Sequence, residues 1–230
     1  MRSIRSSFLI IILISFSGNL ICQDVVAVLD RIYGPDQTLF NGKKYTYYPP
    51  PGTERHQYLF SPDFVEGSVT IKGKNYNDVT LNYDIFNQQL LLQFPDKNGP
   101  RNRIEVSKAR LESFRLGNMN FEYLKLEKEP RFFQVLGQSP VQILYYWRKN
   151  LDVNGIIGSY HLTFTRAVRD SFILKDGQLK PFNTKRKLIT LFDPGIRPEI
   201  KSYLRKNKVN VKKASDRVIE EMLVFIANLK

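Results

Sequence analysis

Two histidines, His56 and His161, are the only imidazoles in the chain and so the natural candidates for moving a proton near neutral pH. His56 follows Glu54 and Arg55 in a proline-rich stretch where a general base can sit, yet no nucleophile is identifiable for it to activate. His161 alternates with Tyr160 and Leu162 and shares a polar strand face with Thr163 and Thr165. Ser159 falls on the same face, but no Gly-x-Ser-x-Gly elbow surrounds it. No histidines stand at helical ligand spacing, and zinc would need carboxylates to complete a site. The carboxylates themselves are unpromising. Glu127 and Glu129 are interleaved with Lys128, and Glu220 and Glu221 lie on a helix whose other face is apolar, whereas a glycosidase needs two carboxylates held across a cleft. Gly155 and Gly158 form a Gly-x-x-Gly stretch with no phosphate-binding helix after it, which reads as a turn. The sequence therefore assigns no catalytic residue, no metal site and no cofactor.

Cations offer a different chemistry. Thirty-five Lys and Arg against 22 Asp and Glu give a net charge of +13. Twelve of the basic residues fall between Lys175 and Lys213, against only Asp176, Asp193 and Glu199. Such a segment suits an anionic neighbour, either an acidic component of a cell envelope or a partner protein, and equally suits plain solvation. The anion-binding candidates are Lys185, Arg186, Lys187, Lys201, Arg205 and Lys208. No nucleic-acid motif accompanies them, and nucleic acid is not expected as a partner. Aromatic side chains supply a second set of contacts, with Tyr45, Tyr47 and Tyr48 in one segment and Tyr145, Tyr146 and Trp147 in another. Each triplet is expected on a strand, where its rings could stack on sugars or line an apolar pocket, or simply cover a pleated face.

The start of the chain carries the expectation that this chemistry lies outside the cytoplasm. Arg2 and Arg5, the apolar run Phe8 to Phe16 and the polar break at Ser17 to Asn19 have the form of a secretory signal peptide, expected over residues 1–22. The apolar run is shorter than the roughly 20 residues that span a bilayer. Cleavage between Cys22 and Gln23 is expected, and a lipid-bearing Cys22 is the alternative, although Asn19 and Ile21 depart from the lipoprotein pattern. Loss of Arg2 and Arg5 leaves 33 basic residues against 22 acidic, a net charge of +11. The mature chain then contains no cysteine, so its stability has to come from packing rather than disulfides.

Between Leu39 and Leu179 the pattern is one of short antiparallel strands. Val69 and Ile71 alternate with Ser68, Thr70 and Lys72, a turn follows at Gly73 and Asn75, and Val79, Leu81 and Tyr83 alternate on the return. Leu90, Leu92 and Phe94 continue the meander to a turn at Pro95 to Pro100. Further strands are expected at Arg103 to Val106, Ser113 to Leu116, Met119 to Leu124, Phe132 to Leu136, Val141 to Arg148, Tyr160 to Ala167 and Phe172 to Leu174. Residues 23–180 thus read as an antiparallel sandwich or barrel, with Tyr48 to Thr53 expected as its flexible segment. Residues 181–230 read as a basic helical tail packed on that domain. Helices are expected at Thr184 to Phe192, from Pro198 to Asn207, and after an N-cap at Ser215, where Asp216 sits beside the positive helix end. The predicted class is α+β.

The segments Leu39 to Tyr45, Glu66 to Ile71, Val79 to Ile85 and Gln89 to Leu92, together with the tail from Lys185 to Asn207, resemble a group of uncharacterised exported proteins of Bacteroidota. That resemblance implies export to the periplasm or outer envelope and implies no active site. Two functions follow as expectations: a noncatalytic envelope protein that binds a ligand or partner, or a hydrolase whose site is assembled from distant residues including His56.

Overall fold

The computed structural model describes residues 36–96, 99–125, 129–156 and 159–229. The expected signal peptide lies outside them, as do Glu127, Lys128, Ile157 and Gly158. Every element below belongs to the unit from Gly42 to Lys230. The strands are β1 (Lys43–Lys44), β2 (Val65–Ile71), β3 (Lys74–Asp84), β4 (Gln89–Asp96), β5 (Gly99–Glu105), β6 (Leu111–Leu116) and β7 (Met119–Leu124). They continue as β8 (Arg131–Leu136), β9 (Val141–Arg148), β10 (Leu151–Ile156), β11 (Ser159–Phe164), β12 (Val168–Lys175) and β13 (Gln178–Phe182). The helices are α1 (Lys185–Thr190), α2 (Arg197–Lys206) and α3 (Asp216–Ala227). Eleven strands form one sheet in the order β1-β5-β4-β3-β2-β6-β7-β8-β9-β12-β13, and β10 pairs with β11 as a separate hairpin.

All strand pairs in both sheets are antiparallel. Two hairpins turn on consecutive residues with positive φ, Lys72 and Gly73 between β2 and β3, and Asp176 and Gly177 between β12 and β13. That geometry matches the right-handed twist of the strands it joins.

The sheet is strongly curled. β3 and β8 are four strand spacings apart, about 19 Å on a flat sheet. The rings of Tyr83 on β3 and Phe132 on β8 nevertheless meet with centroids 5.5 Å apart. Tyr83 also packs edge-on against Phe114 at 5.4 Å and Phe121 at 5.5 Å, so four strands deliver one aromatic cluster to the concave side. Farther round, Gln88 at the β3–β4 turn donates to the Trp147 carbonyl of β9 at 2.9 Å. The fold is therefore α+β, with a barrel-like antiparallel sheet and a C-terminal helical segment.

The helices fill the concave side where the aromatic cluster ends. Leu136, Ile143, Tyr145, Ile173 and Phe182 of the sheet share one core with Leu188 of α1, Ile200 and Leu204 of α2, and Ile219, Met222, Leu223 and Ile226 of α3. Gly137, at φ 81°, follows β8 beneath α3, and a Cβ there would lie 2.6 Å from Leu223 Cδ1. Glycine thus satisfies both the left-handed backbone and the close approach.

A polar network pins α3 to the sheet. Asp216 accepts from Gln134 Nε2 at 2.6 Å and from Arg169 at 3.4 Å. Gln134 accepts from Trp147 Nε1 at 2.8 Å, and Arg169 donates to the Ala214 carbonyl at 2.7 Å.

Several details differ from the sequence expectations. β10 and β13 are additional strands; β10 carries Asn154 and Gly155, and β13 carries Pro181, which its edge position tolerates because no outer neighbour needs the missing N–H. β11 ends at Phe164, so Arg166 and Ala167 connect strands instead of extending one. Tyr45, Tyr47 and Tyr48 lie beyond the short β1 and not on a strand, because Tyr45 turns into a small core with Tyr58 and Leu91. Ser215 occupies the N-cap position of α3 without a side-chain cap bond. Asp216 secures that end through tertiary contacts instead. By contrast Thr184 caps α1 as a side-chain acceptor from the Lys187 amide at 3.1 Å.

Asp216→Ala should therefore lower unfolding stability by about 1–3 kcal/mol, because it strands the buried Gln134 amide and the Arg169 guanidinium. Ser215→Ala should change it by less than about 0.5 kcal/mol, whereas a working side-chain cap would cost roughly 1 kcal/mol. Urea denaturation of the two variants separates these outcomes.

Candidate functional site

Two concave surfaces bring charged side chains together. The larger, about 850 Å³, lies where β12 and β13 meet the helical segment. Its basic lining residues are Arg169, Lys187, Lys212 and Lys213, beside Trp147 and Phe172. Lys187 arrives from the first turn of α1, which the Thr184 cap fixes. Lys212 and Lys213 arrive from a turn between buried Val209 and Val211 on one side and α3 on the other. Asn210 organises that turn, its side chain accepting from the Lys212 amide at 3.1 Å and its carbonyl from the amides of Lys213 at 2.9 Å and Ala214 at 2.7 Å. Three lysines therefore face one groove from ordered backbone.

The other charges of this groove are already engaged. Arg169 is held by Ala214 and Asp216 and lies 4.0 Å from the Tyr145 ring centroid. Asp170, a lining carboxylate, is paired with Arg148 at 2.9 Å. Lys187, Lys212 and Lys213 form no ion pair with any described residue, which leaves their charge available to a ligand.

Of the six candidates expected from sequence, the groove takes only Lys187. Lys185 donates to the Leu204 carbonyl at 3.0 Å, near the negative end of α2, and so has a structural use. Arg186, Lys201, Arg205 and Lys208 are exposed and line neither concave surface. Lys212, Lys213 and Arg169 complete the groove and were not singled out by spacing. The usable signal was the adjacent lysine pair immediately before the first residues of α3; nothing local marks Arg169, whose role depends on strand register.

The second surface, about 520 Å³, is lined by Lys44, Tyr45, Tyr47, Tyr48, Arg55, His56, Tyr58, Arg101 and Arg103 among others. The segment after β1 folds across the outer face of β3, β4 and β5, and Tyr45, Tyr58 and Leu91 form its own small core. Asp84 anchors it. This carboxylate is fully buried and accepts from Tyr45 Oη at 2.7 Å, from the amides of Phe86 at 3.0 Å and Asn87 at 2.8 Å, and from Asn87 Nδ2 at 2.8 Å. Gln57 Nε2 donates to Tyr45 Oη at 3.1 Å. Lys149, also buried, donates to the carbonyls of His56 at 2.8 Å and Tyr58 at 2.6 Å.

Burial governs the titration of this surface. It raises the Tyr45 and Tyr58 phenols well above and above their usual range respectively, so both remain protonated donors. Burial also lowers Lys149, against the pull of Asp84. For His56, burial first and the Lys149 ammonium second hold the imidazole below the usual histidine value. Among the described residues no serine, threonine, cysteine or carboxylate lines the surface, so His56 faces no ordinary hydrolytic nucleophile from them there.

His161 sits elsewhere, on the β10–β11 hairpin, with Nε2 3.2 Å from Glu54 at an exposed position. Among the described residues, no group of three or more His, Cys, Asp or Glu is arranged to hold a metal ion. Comparison with protein-family models, curated proteins and solved structures gives no match.

A histidine that binds its proton less readily when folded favours the unfolded state as pH falls through about 6.5, so stability should rise with pH across that window. His56→Gln should flatten this rise between about pH 5 and 7, as read from denaturation midpoints. An unchanged slope in the variant would contradict the shifted titration.

Proposed function

We propose that the chain is an exported, noncatalytic protein of a bacterial cell envelope, in the periplasm or outer envelope, whose basic helical segment binds an anionic component of that envelope. One observation carries the reading: Lys187, Lys212 and Lys213 converge on a groove from ordered backbone without described carboxylate partners. Ordered cations beside an apolar wall suit a headgroup phosphate with attached hydrocarbon, because the charge is met by ammonium groups and the apolar part by Trp147 and Phe172. The basic bias of the last quarter supports the same partner class. The signal-peptide pattern and the resemblance to exported Bacteroidota proteins support the envelope setting. A hydrolase built around His56 has less support, since no serine, threonine or cysteine among the described residues lines its surface.

Phosphatidylglycerol vesicles provide the test. A lysine near an anionic surface contributes about 1 kcal/mol, so removing three by Lys187→Ala, Lys212→Ala and Lys213→Ala should weaken binding about 100-fold. The wild-type association should fall steeply with salt. Salt-insensitive binding, or a triple variant that binds as well as wild type, would contradict the groove's role.

Export has its own readout. Intact mass of the protein recovered from its cell envelope should correspond to a chain beginning at Gln23. A mass that retains residues 1–22, or one that carries lipid on Cys22, would overturn the expected processing.

A further inference from the structure

We propose that the tyrosine-lined surface over β3, β4 and β5 is a binding site for an acidic saccharide, a sugar ring bearing a carboxylate. The site is separate from the groove of the helical segment and does not depend on that groove's function.

Its charge is one-sided. Lys44, Arg55, Arg101 and Arg103 line it, and no carboxylate among the described residues does. Arg103 is oriented before any ligand arrives: its guanidinium stacks 4.8 Å from the Phe64 centroid and its Nε donates to Gln93 at 3.2 Å. Its terminal nitrogens have no described acceptor. Arg55 uses one terminal nitrogen on the Phe164 carbonyl at 3.3 Å. Planar guanidinium groups match a carboxylate through paired N–H donors, which a lysine cannot reproduce.

The floor is rigid. Tyr45 and Tyr58 are buried and fixed by the Asp84, Gln57 and Lys149 contacts, while Tyr47 packs 5.8 Å from Phe86. Tyr48 differs from all of them. The residue is 78% exposed, and Pro49, Pro50 and Pro51 follow it. The proline run restricts the chain, and Thr53 closes its end through its amide and hydroxyl on the Pro50 carbonyl at 3.1 and 2.6 Å. An aromatic face is thus presented to solvent from a stiffened segment at the rim of a cationic hollow. Sugars carry both complementary parts: an apolar C–H face for the ring, and in uronic acids a carboxylate for the arginines. The volume, about 520 Å³, lies in the range of small-ligand sites.

The experiment is calorimetric titration of the mature full-length protein with trigalacturonate, with neutral galactotriose and uridine monophosphate as parallel probes. Trigalacturonate should bind saturably and more tightly than either. Tyr48→Ala and Arg101→Ala should each weaken it about tenfold or more, the scale of a lost stacking anchor or charge-assisted contact. Both side chains are exposed, so the thermal midpoints of these variants should match wild type. The Lys187→Ala, Lys212→Ala, Lys213→Ala variant should bind trigalacturonate unchanged. Absence of saturable binding, equal affinity for the neutral sugar, tighter binding of the nucleotide, or indifference to both substitutions in this surface would each overturn the proposal.

Discussion

The carboxylate of Asp216 is the constraint on which the helical segment depends. It joins the first turn of α3 to Gln134 in the middle of the sheet and to Arg169 on β12, two strands away. Gln134 is fully buried, so its amide must find partners on both ends, and it does so with Trp147 and Asp216. A satisfied buried network of this kind specifies one docking of α3, where apolar contacts alone would tolerate rotation or sliding. Arg169 extends the same restraint to the chain just before the helix through the Ala214 carbonyl. That chain carries Lys212 and Lys213. The position of the basic groove is therefore a consequence of how the helix is anchored.

The opposite part of the sheet uses the same device for another purpose. Asp84 is buried on the outer face of β3, where an isolated carboxylate would be costly, and four hydrogen bonds compensate it. Those bonds hold the segment from Tyr45 to Phe64 against strands that would otherwise expose Leu91 to solvent. Lys149 closes the arrangement from the end of β9 by capturing the His56 and Tyr58 carbonyls. Curling of the sheet is what brings β9 within reach of that segment. Both concave surfaces thus lie where a hydrogen-bonded carboxylate, Asp216 or Asp84, fixes a stretch of chain onto regular strands, and each surface combines side chains from that stretch with side chains from the strands beside it.

Much of the fold was legible because it is local. Alternation along Val69, Ile71, Leu81 and Tyr83 identifies strands, and Pro198 and the apolar spacing from Val218 to Ile226 identify helices, all from near neighbours. The irregular strands β10 and β13 were obscured by Asn154, Gly155 and Pro181, residues that strands tolerate only at edges or bends. The candidate sites were less legible, since each depends on partners far apart in sequence. Charge density marks the segment that reaches the groove, but spacing does not show which of its lysines do so: Lys185 serves a helix end, and the groove draws lysines from Lys187 and a turn 25 residues later. The tyrosine triplet was visible, yet two of the arginines that accompany it, Arg101 and Arg103, come from β5, which only strand pairing reveals.

Nuclear magnetic resonance of the protein during titration with short-chain phosphatidylglycerol, kept below its micelle concentration, addresses the groove most directly. The account predicts that amide shifts concentrate at Arg169, Lys187, Lys212 and Lys213 and saturate together. Shifts centred instead on Lys201, Arg205 and Lys208, or no saturable shifts, would show that the basic segment is a solvated face and that the groove is not a binding site.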